Sequence, residues 1–202
     1  MKRELEIILE NLEGFKKPKI KLEQYVTPPK LAAFIVVNAK LLGDLDVVAD
    51  LGCGTGILSI GSALLGAYSI GIDVDIEALK IARKNAKKVG VIDIDLVACS
   101  VEDINMKKRV TTIMNPPFGI QQRHADRPFL LKAFEISNVI YSIHSAGSEK
   151  FVRRLSRVRG FKVTHVWKFS IPLKRTYSFH EKAFKYIPVE VFRMENEIRL
   201  AW

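Results

Sequence analysis

The sequence predicts an α/β domain built on a seven-stranded, doubly wound sheet that ends in an antiparallel strand pair and carries extra helices at its N-terminus. Three observations lead there. Short apolar runs alternate with helix-period segments from residue 47 to residue 158, the pattern of parallel strands joined by crossover helices. A Gly-x-Gly-x-Gly loop, Gly52 to Gly56, joins the first of these runs to the helix after it. At the end of the chain, Phe161 to Leu173 and Ala183 to Arg193 are both strand-like with no helical stretch between them, so five parallel strands are followed by an antiparallel pair. At 202 residues, 48% of them hydrophobic, the chain reads as one domain over residues 1–202, with residues 1–43 as a helical extension packed on it.

Lys2 to Leu12 places Leu5, Ile8, Leu9 and Leu12 at helical spacing among charges, and Gly14 ends the pattern. A basic stretch, Lys16 to Lys21, leads into Leu22-Glu23-Gln24-Tyr25-Val26-Thr27-Pro28-Pro29. There Thr27 before Pro28 has the form of a helix N-cap followed by proline at the first helical position, and the helix is expected to run from Pro28 to Leu42. Gln24 and Tyr25 taken by themselves read as loop. Val47-Val48-Ala49-Asp50-Leu51 suits a strand buried on both faces, followed by a helix from Ile57 to Leu65. The same logic gives strands at Ser69 to Asp73, Ile94 to Cys99, Val110 to Met114 and Val139 to His144. Helices are expected at Ile76 to Lys88, Phe129 to Ser137 and Ser148 to Val158. Gly119 to Arg127 is polar and lacks periodicity, which marks a mobile loop on the substrate side.

Lys plus Arg number 32 against 22 Asp plus Glu, a formal charge of +10 that favours a polyanionic partner. No apolar run approaches the roughly 18 residues of a membrane span, so a membrane role is excluded and a cytoplasmic location expected. Cys53 and Cys99 lie far apart, outside any zinc or redox spacing, and read as small buried hydrophobes in a reducing compartment. The four histidines lack metal-ligand spacing, and no metal is expected. His144 and His165 fall in strand-like runs and read as packed, whereas His124 and His180 lie in basic loops that suit phosphate or base contact.

Glycines between a strand and a helix let a ligand approach backbone N–H groups at the helix N-terminus. Asp73 ends the second strand about twenty residues later, where a nucleotide-binding βαβ unit places its ribose-binding acid. A dinucleotide fingerprint would put Gly or Ala where this chain has Ile57. Asp50-Leu51-Gly52-Cys53-Gly54-Thr55-Gly56 instead resembles the cofactor loop of class I methyltransferases, whose fold is Rossmann-like and whose donor, S-adenosyl-L-methionine, has no pyrophosphate.

The run Thr112-Ile113-Met114 stops abruptly at Asn115-Pro116-Pro117-Phe118-Gly119. Proline cannot donate to a sheet ladder and forces its neighbour out of the helical region, so Asn115 to Phe118 must leave the strand as a rigid, extended loop. It resembles the signature loop of methyltransferases that act on planar nitrogens. An exocyclic amino nitrogen shares its lone pair with the ring and is a poor nucleophile until acceptors draw its N–H bonds out of plane. The Asn115 side-chain oxygen and the Pro116 carbonyl can supply two acceptors on backbone stiffened by Pro117, while Phe118 stacks on the base. The loop between the last two strands, with Lys174, Arg175, Tyr177, His180 and Lys182, mixes cations with aromatics as base stacking and phosphate contact require, and Arg123 and His124 extend that basic character.

Together these stretches resemble the methyltransferase-like protein 5 family, whose eukaryotic members methylate adenosine N6 in small-subunit ribosomal RNA. The resemblance covers nearly the whole chain. It rests on Leu22-Glu23-Gln24-Tyr25-x-Thr27, Ala49 to Gly54 with Leu58-Ser59-Ile60-Gly61, Gly71-Ile72-Asp73, Met114 to Gly119 and Tyr177-x-Phe179-His180-x-Lys182. It implies that Gln24 and Thr27 close over the methionine end of S-adenosyl-L-methionine, and that Asp50, Gly52, Gly54, Thr55, Gly56 and Ile57 surround the cofactor. It further implies that Asp73 and Val74 meet the ribose. After the third strand the family commonly places an acid against the adenine amino group; here Cys99-Ser100-Val101 stands there, with Glu102 and Asp103 just beyond, so the adenine contact falls on Ser100 and Val101. The relatives work with a small zinc-binding activator that pairs with a sheet edge, which makes such a partner an expectation.

The expected activity is transfer of a methyl group to adenosine N6 in ribosomal RNA, with the base flipped into a pocket at Asn115 to Phe118. The same fold acting on guanine N2 or a protein glutamine is the nearest alternative, and a catalytically silent RNA-binding module is the alternative of another class.

Overall fold

A computed structural model describes residues 1–119, 121–174 and 184–198. The first strand, β1 (Val47–Leu51), lies between β2 (Tyr68–Asp73) and β4 (Val110–Met114), with β3 (Ile94–Ala98) beyond β2. On the other side β5 (Ser137–Ser145) follows β4, and the antiparallel pair β6 (Phe161–Lys174) and β7 (Phe184–Asn196) completes the order β3-β2-β1-β4-β5-β7-β6. The first five strands are parallel, as expected, and β7 inserts antiparallel between β5 and β6.

The helices are α1 (Lys2–Glu10), α2 (Pro29–Leu41), α3 (Ile57–Leu64), α4 (Ile76–Lys88), α5 (Arg127–Ile136) and α6 (Glu149–Val158). Leu5 and Leu9 of α1 and the apolar side of α2 join Val48, Ile113, Tyr141 and Val191 in one core. Alternate residues of the same strands, Ala49, Met114, Ile140 and Phe192, join Leu130 and Phe134 of α5 and Val152 of α6 in a second. Successive strand residues point to opposite faces, so near-continuous apolar runs are what a sheet covered on both sides demands.

Most element boundaries shift by one to three residues from the sequence reading, and two of the shifts bear on the site. Helix α2 is capped by Pro28, with Pro29 at its first position, because the Thr27 hydroxyl is engaged elsewhere by Asn115. Helix α5 begins at Arg127, two residues before the expected Phe129, within the segment read as polar loop.

Asp44, between α2 and β1, accepts bonds from Arg193 Nε at 2.8 Å, Arg193 Nη2 at 3.0 Å and the Tyr141 hydroxyl at 2.7 Å. This buried, two-pronged ion pair ties the β7 strand to the start of the sheet. Gly71 in β2 has no room for a side chain. An added Cβ would lie 2.9 Å from Leu96 Cδ2 and 3.0 Å from both Cys53 Sγ and Ser59 Oγ. Gly71→Ala is expected to destabilise the fold by about 1–3 kcal/mol, read as a lower urea midpoint at unchanged m-value.

Candidate active site

The strand order reverses between β1 and β4, and a crevice opens where their carboxyl ends part. Leu51 and Met114, the last residues of the two strands, are register partners. The glycine loop and the Asn-Pro-Pro-Phe loop therefore leave the sheet side by side. A cleft of about 390 Å³ lies over them, within the size range of small-molecule sites. It is lined by Gln24, Thr27, Asp50, Gly52, Gly54, Thr55, Ile57, Asp73, Val74, Ser100, Val101, Asn115, Pro117 and His124 among the expected residues.

Gly52 and Gly54 adopt left-handed backbone, with φ of 72° and 55°, and a Cβ on them would meet the rings of Phe129 at 2.9 Å and Phe15 at 2.7 Å. Only glycine suits that combination of backbone and close approach. Beneath the loop, Asp50 Oδ2 accepts from Ser59 N at 2.9 Å and from Ser59 Oγ at 2.6 Å. Asp50 Oδ1 is buried and has no hydrogen-bond partner. Burial pushes the Asp50 carboxyl up to about 7, against the lowering effect of the Ser59 bonds and with a further rise from neighbouring Asp73. Asp73 accepts from Gly54 N and Asp75 N, each at 2.8 Å, and burial raises its carboxyl above the ordinary range.

Asn115 is held from both ends of its amide. Its Oδ1 accepts from the Tyr25 hydroxyl at 2.7 Å and its Nδ2 donates to Thr27 Oγ1 at 2.9 Å. Pro116 is buried behind it. The Phe118 ring lies outside the cleft lining and packs on Tyr25 with centroids 5.4 Å apart. Gly56 also lies outside the lining, since it caps α3 and backs onto Ala82. Arg123 is exposed beyond the cleft, and Lys174 is the last residue of β6. Arg175, Tyr177, His180 and Lys182 fall outside the described residues.

The segment after Phe118 is tied down at both ends. Glu23 accepts from Gly119 N at 3.1 Å and Gln121 N at 2.7 Å, and Asp126 lies 3.6 Å from buried His144. His165 stacks on Trp167. Among the described residues no group of His, Cys, Asp and Glu is placed to hold a metal, and no helix is long and apolar enough to cross a membrane.

Residues 35–115, from α2 to Asn115, match the ribosomal protein L11 methyltransferase (PrmA) family model. The whole chain has broader kinship. It is 42% identical to the uncharacterised protein MJ0284 of Methanocaldococcus jannaschii over 96% of this chain and 94% of that one. With the rRNA N(6)-adenosine-methyltransferase METTL5 of Danio rerio the identity is 36%, over 95% of this chain and 97% of that one. The chain belongs to the METTL5 family. A crystal structure of PH1948 from Pyrococcus horikoshii, described as a candidate RNA methyltransferase, shares its backbone at a TM-score of 0.88, with 45% identity over 96% of this chain and 97% of that one.

Within this METTL5-family cleft, sequence reasoning missed Phe15, Glu23, Tyr25 and Phe129 as site residues. Phe15 and Phe129 are apolar residues whose neighbours come from distant segments. Glu23 and Tyr25 sat in view inside Leu22-Glu23-Gln24-Tyr25-x-Thr27, but nothing local says what an isolated acid and phenol in a loop will touch.

Proposed function

We propose that this chain transfers the methyl group of S-adenosyl-L-methionine to the N6 amino group of an adenosine in ribosomal RNA, the small-subunit RNA being its substrate. The observation that carries this reading is the pairing of Leu51 with Met114, which sets a glycine-lined cofactor loop and an Asn-Pro-Pro-Phe loop at the two sides of one cleft. The match to the L11 methyltransferase model ends at Asn115 and so covers the cofactor half, whereas the Danio rerio relative named for rRNA adenosine N6 aligns over nearly the full chain.

The residues present fit the cofactor. The partnerless Asp50 Oδ1 suits the ammonium of its methionine end, and the Asp73 oxygens, each already holding a backbone N–H, have acceptor capacity left for ribose hydroxyls. Of the residues lining the cleft, Thr27 would face the methionine end, Gly52, Gly54, Thr55 and Ile57 the body of the cofactor, and Val74, Ser100 and Val101 its nucleoside end, whereas Gln24, its amide tied to Lys19 N and Asp75, would stand beside the ribose acid Asp73. When bound, S-adenosyl-L-methionine supplies an electrophilic methyl group on a sulfonium. Asn115 Oδ1 and the Pro116 carbonyl accept the N–H bonds of the target amine, and Phe118, anchored by Tyr25, stacks on the base. Rate enhancement then comes from in-line positioning and from oriented dipoles around the developing charge. Arg123, His124, Lys174, Arg175, Tyr177, His180 and Lys182 hold the RNA.

We further propose a small zinc-binding activator that pairs with a sheet edge, β3 and β6 being the outer strands among the described residues. With two free cysteines and a ribosomal substrate, the enzyme is assigned to the cytoplasm. The test is incubation of purified protein with labelled cofactor and ribosomal RNA, followed by mass spectrometry of the digest. Label is expected in N6-methyladenosine; label confined to guanosine or to protein would overturn the assignment.

A further inference from the structure

The five residues Glu23 to Thr27 form no regular element, yet their contacts alternate in space. Glu23, Tyr25 and Thr27 reach the loop that follows β4, while Gln24 turns the other way. Glu23 takes the N–H groups of Gly119 and Gln121, at 3.1 and 2.7 Å. Tyr25 and Thr27 take the two ends of the Asn115 amide, at 2.7 and 2.9 Å. Gln24 Nε2 donates to Asp75 Oδ2 at 2.7 Å, and Asp75 N in turn donates to Asp73 on the cofactor side. Glu23 itself sits in left-handed backbone, with φ of 50°, a conformation that a non-glycine residue keeps where surrounding contacts over-determine it.

An asparagine amide offers two acceptor sites on its oxygen and two donors on its nitrogen, and a half-turn about its last torsion exchanges them. An acceptor for an amino group works with the oxygen forward; with the nitrogen forward, two donors face each other. Thr27 occupies one N–H and Tyr25 one lone pair, which holds the amide at both ends and, in this orientation, leaves one lone pair for a substrate N–H. Burial raises the Tyr25 phenol above its ordinary range, so the hydroxyl remains a donor at any working pH.

We propose that Tyr25 is a positioning residue for methyl transfer. Its hydroxyl holds Asn115 with the acceptor oxygen towards the target amine, and Glu23 fixes the far end of the same loop. This rests on the reading of Asn115 as the substrate acceptor, and two measurements separate the two ideas. The first needs no substrate: the side-chain amide resonances of Asn115, identified by their loss in Asn115→Ala, are followed by NMR. They are expected to be sharp and slow to exchange in the wild type, and broadened or faster-exchanging in Tyr25→Phe, which keeps the ring packed on Phe118. Glu23→Gln, which retains one acceptor for two N–H groups, is expected to loosen the same signals to a lesser degree and serves as the second variant. The second measurement is steady-state turnover on ribosomal RNA. Tyr25→Phe is expected to lower kcat about tenfold and the unfolding temperature modestly, with the RNA KM and the calorimetric cofactor affinity nearly unchanged. A purely structural role would lower stability and leave kcat alone. Unaltered Asn115 resonances in Tyr25→Phe overturn the brace whatever the enzyme methylates, as does an unaltered kcat. A wild-type enzyme that leaves adenosine unmodified overturns the reading of the reaction, and the NMR result then judges the brace by itself.

Discussion

Asn115→Ala is expected to bind S-adenosyl-L-methionine with nearly wild-type affinity and to transfer its methyl group at less than about a hundredth of the wild-type rate. Removing one preorganised polar group from a site of developing charge costs roughly 10²–10³ in kcat, and in the mechanism proposed the lost group is one of two acceptors for the target amine. Cofactor affinity should hold because Asp50, Asp73 and the glycine loop leave β1 and β2 and make none of their bonds through Asn115, and of the cofactor partners only Thr27 loses a bond with it. The substitution also strips Tyr25 and Thr27 of their partner, so a stability loss of about 1–3 kcal/mol should accompany it. Turnover on ribosomal RNA measured beside calorimetric cofactor binding checks both halves. Wild-type turnover in this variant would mean the acceptor is elsewhere.

The second large effect is expected at Asp50. Its folded-state carboxyl is raised to about 7 from an ordinary 3.8, chiefly by burial. Between those values the folded protein holds a proton that the unfolded chain has released, so stability falls as pH rises from about 4 to about 7 and levels off above. At about 1.4 kcal/mol per tenfold change in the proton equilibrium, the loss is on the order of a few kcal/mol. Asp73, also raised, works in the same direction, whereas Asp75 and Asp126, held low despite burial by Lys19 with Gln24 and by His144 respectively, work in the opposite one. The difference between wild type and Asp50→Asn isolates the one group. In urea unfolding without cofactor, the variant should match the wild type near pH 4 and exceed it by a few kcal/mol at pH 8. A difference independent of pH would show that the carboxyl titrates normally. The same variant should bind S-adenosyl-L-methionine about tenfold or more weakly, because a buried carboxylate that costs stability alone is completed by the ammonium of the cofactor.

Much of the scaffold could be read locally. Val47–Leu51, Ile76–Lys88 and Val110–Met114 fall where apolar runs, helical spacing and a proline stop place them. Asp75 caps α4 by accepting from Glu77 N, an interaction confined to three consecutive residues. Thr27 shows the limit of local reading. Its position before two prolines suggests a cap, but its hydroxyl meets an asparagine 88 residues away in the chain, and the helix starts from Pro28 instead. The start of α5 was obscured for a related reason: Arg127 and Pro128 carry none of the apolar period that reveals Leu130, Ala133 and Phe134.

The sequence by itself determined the two loops, because each follows from residues adjacent in the chain: glycines where the backbone turns left-handed after a strand, and prolines that carry the chain out of the sheet rigidly after an asparagine. Tertiary structure decided how the Asn115 amide is held. Tyr25 and Glu23 act across 90 and more residues of chain, and no local pattern marks them, because a phenol in a loop is indistinguishable from any other until the sheet brings Asn115 within 2.7 Å of it. The register of Leu51 against Met114 is the physical cause. Parallel strands that end level deliver both loops, and whatever braces them, to one cleft.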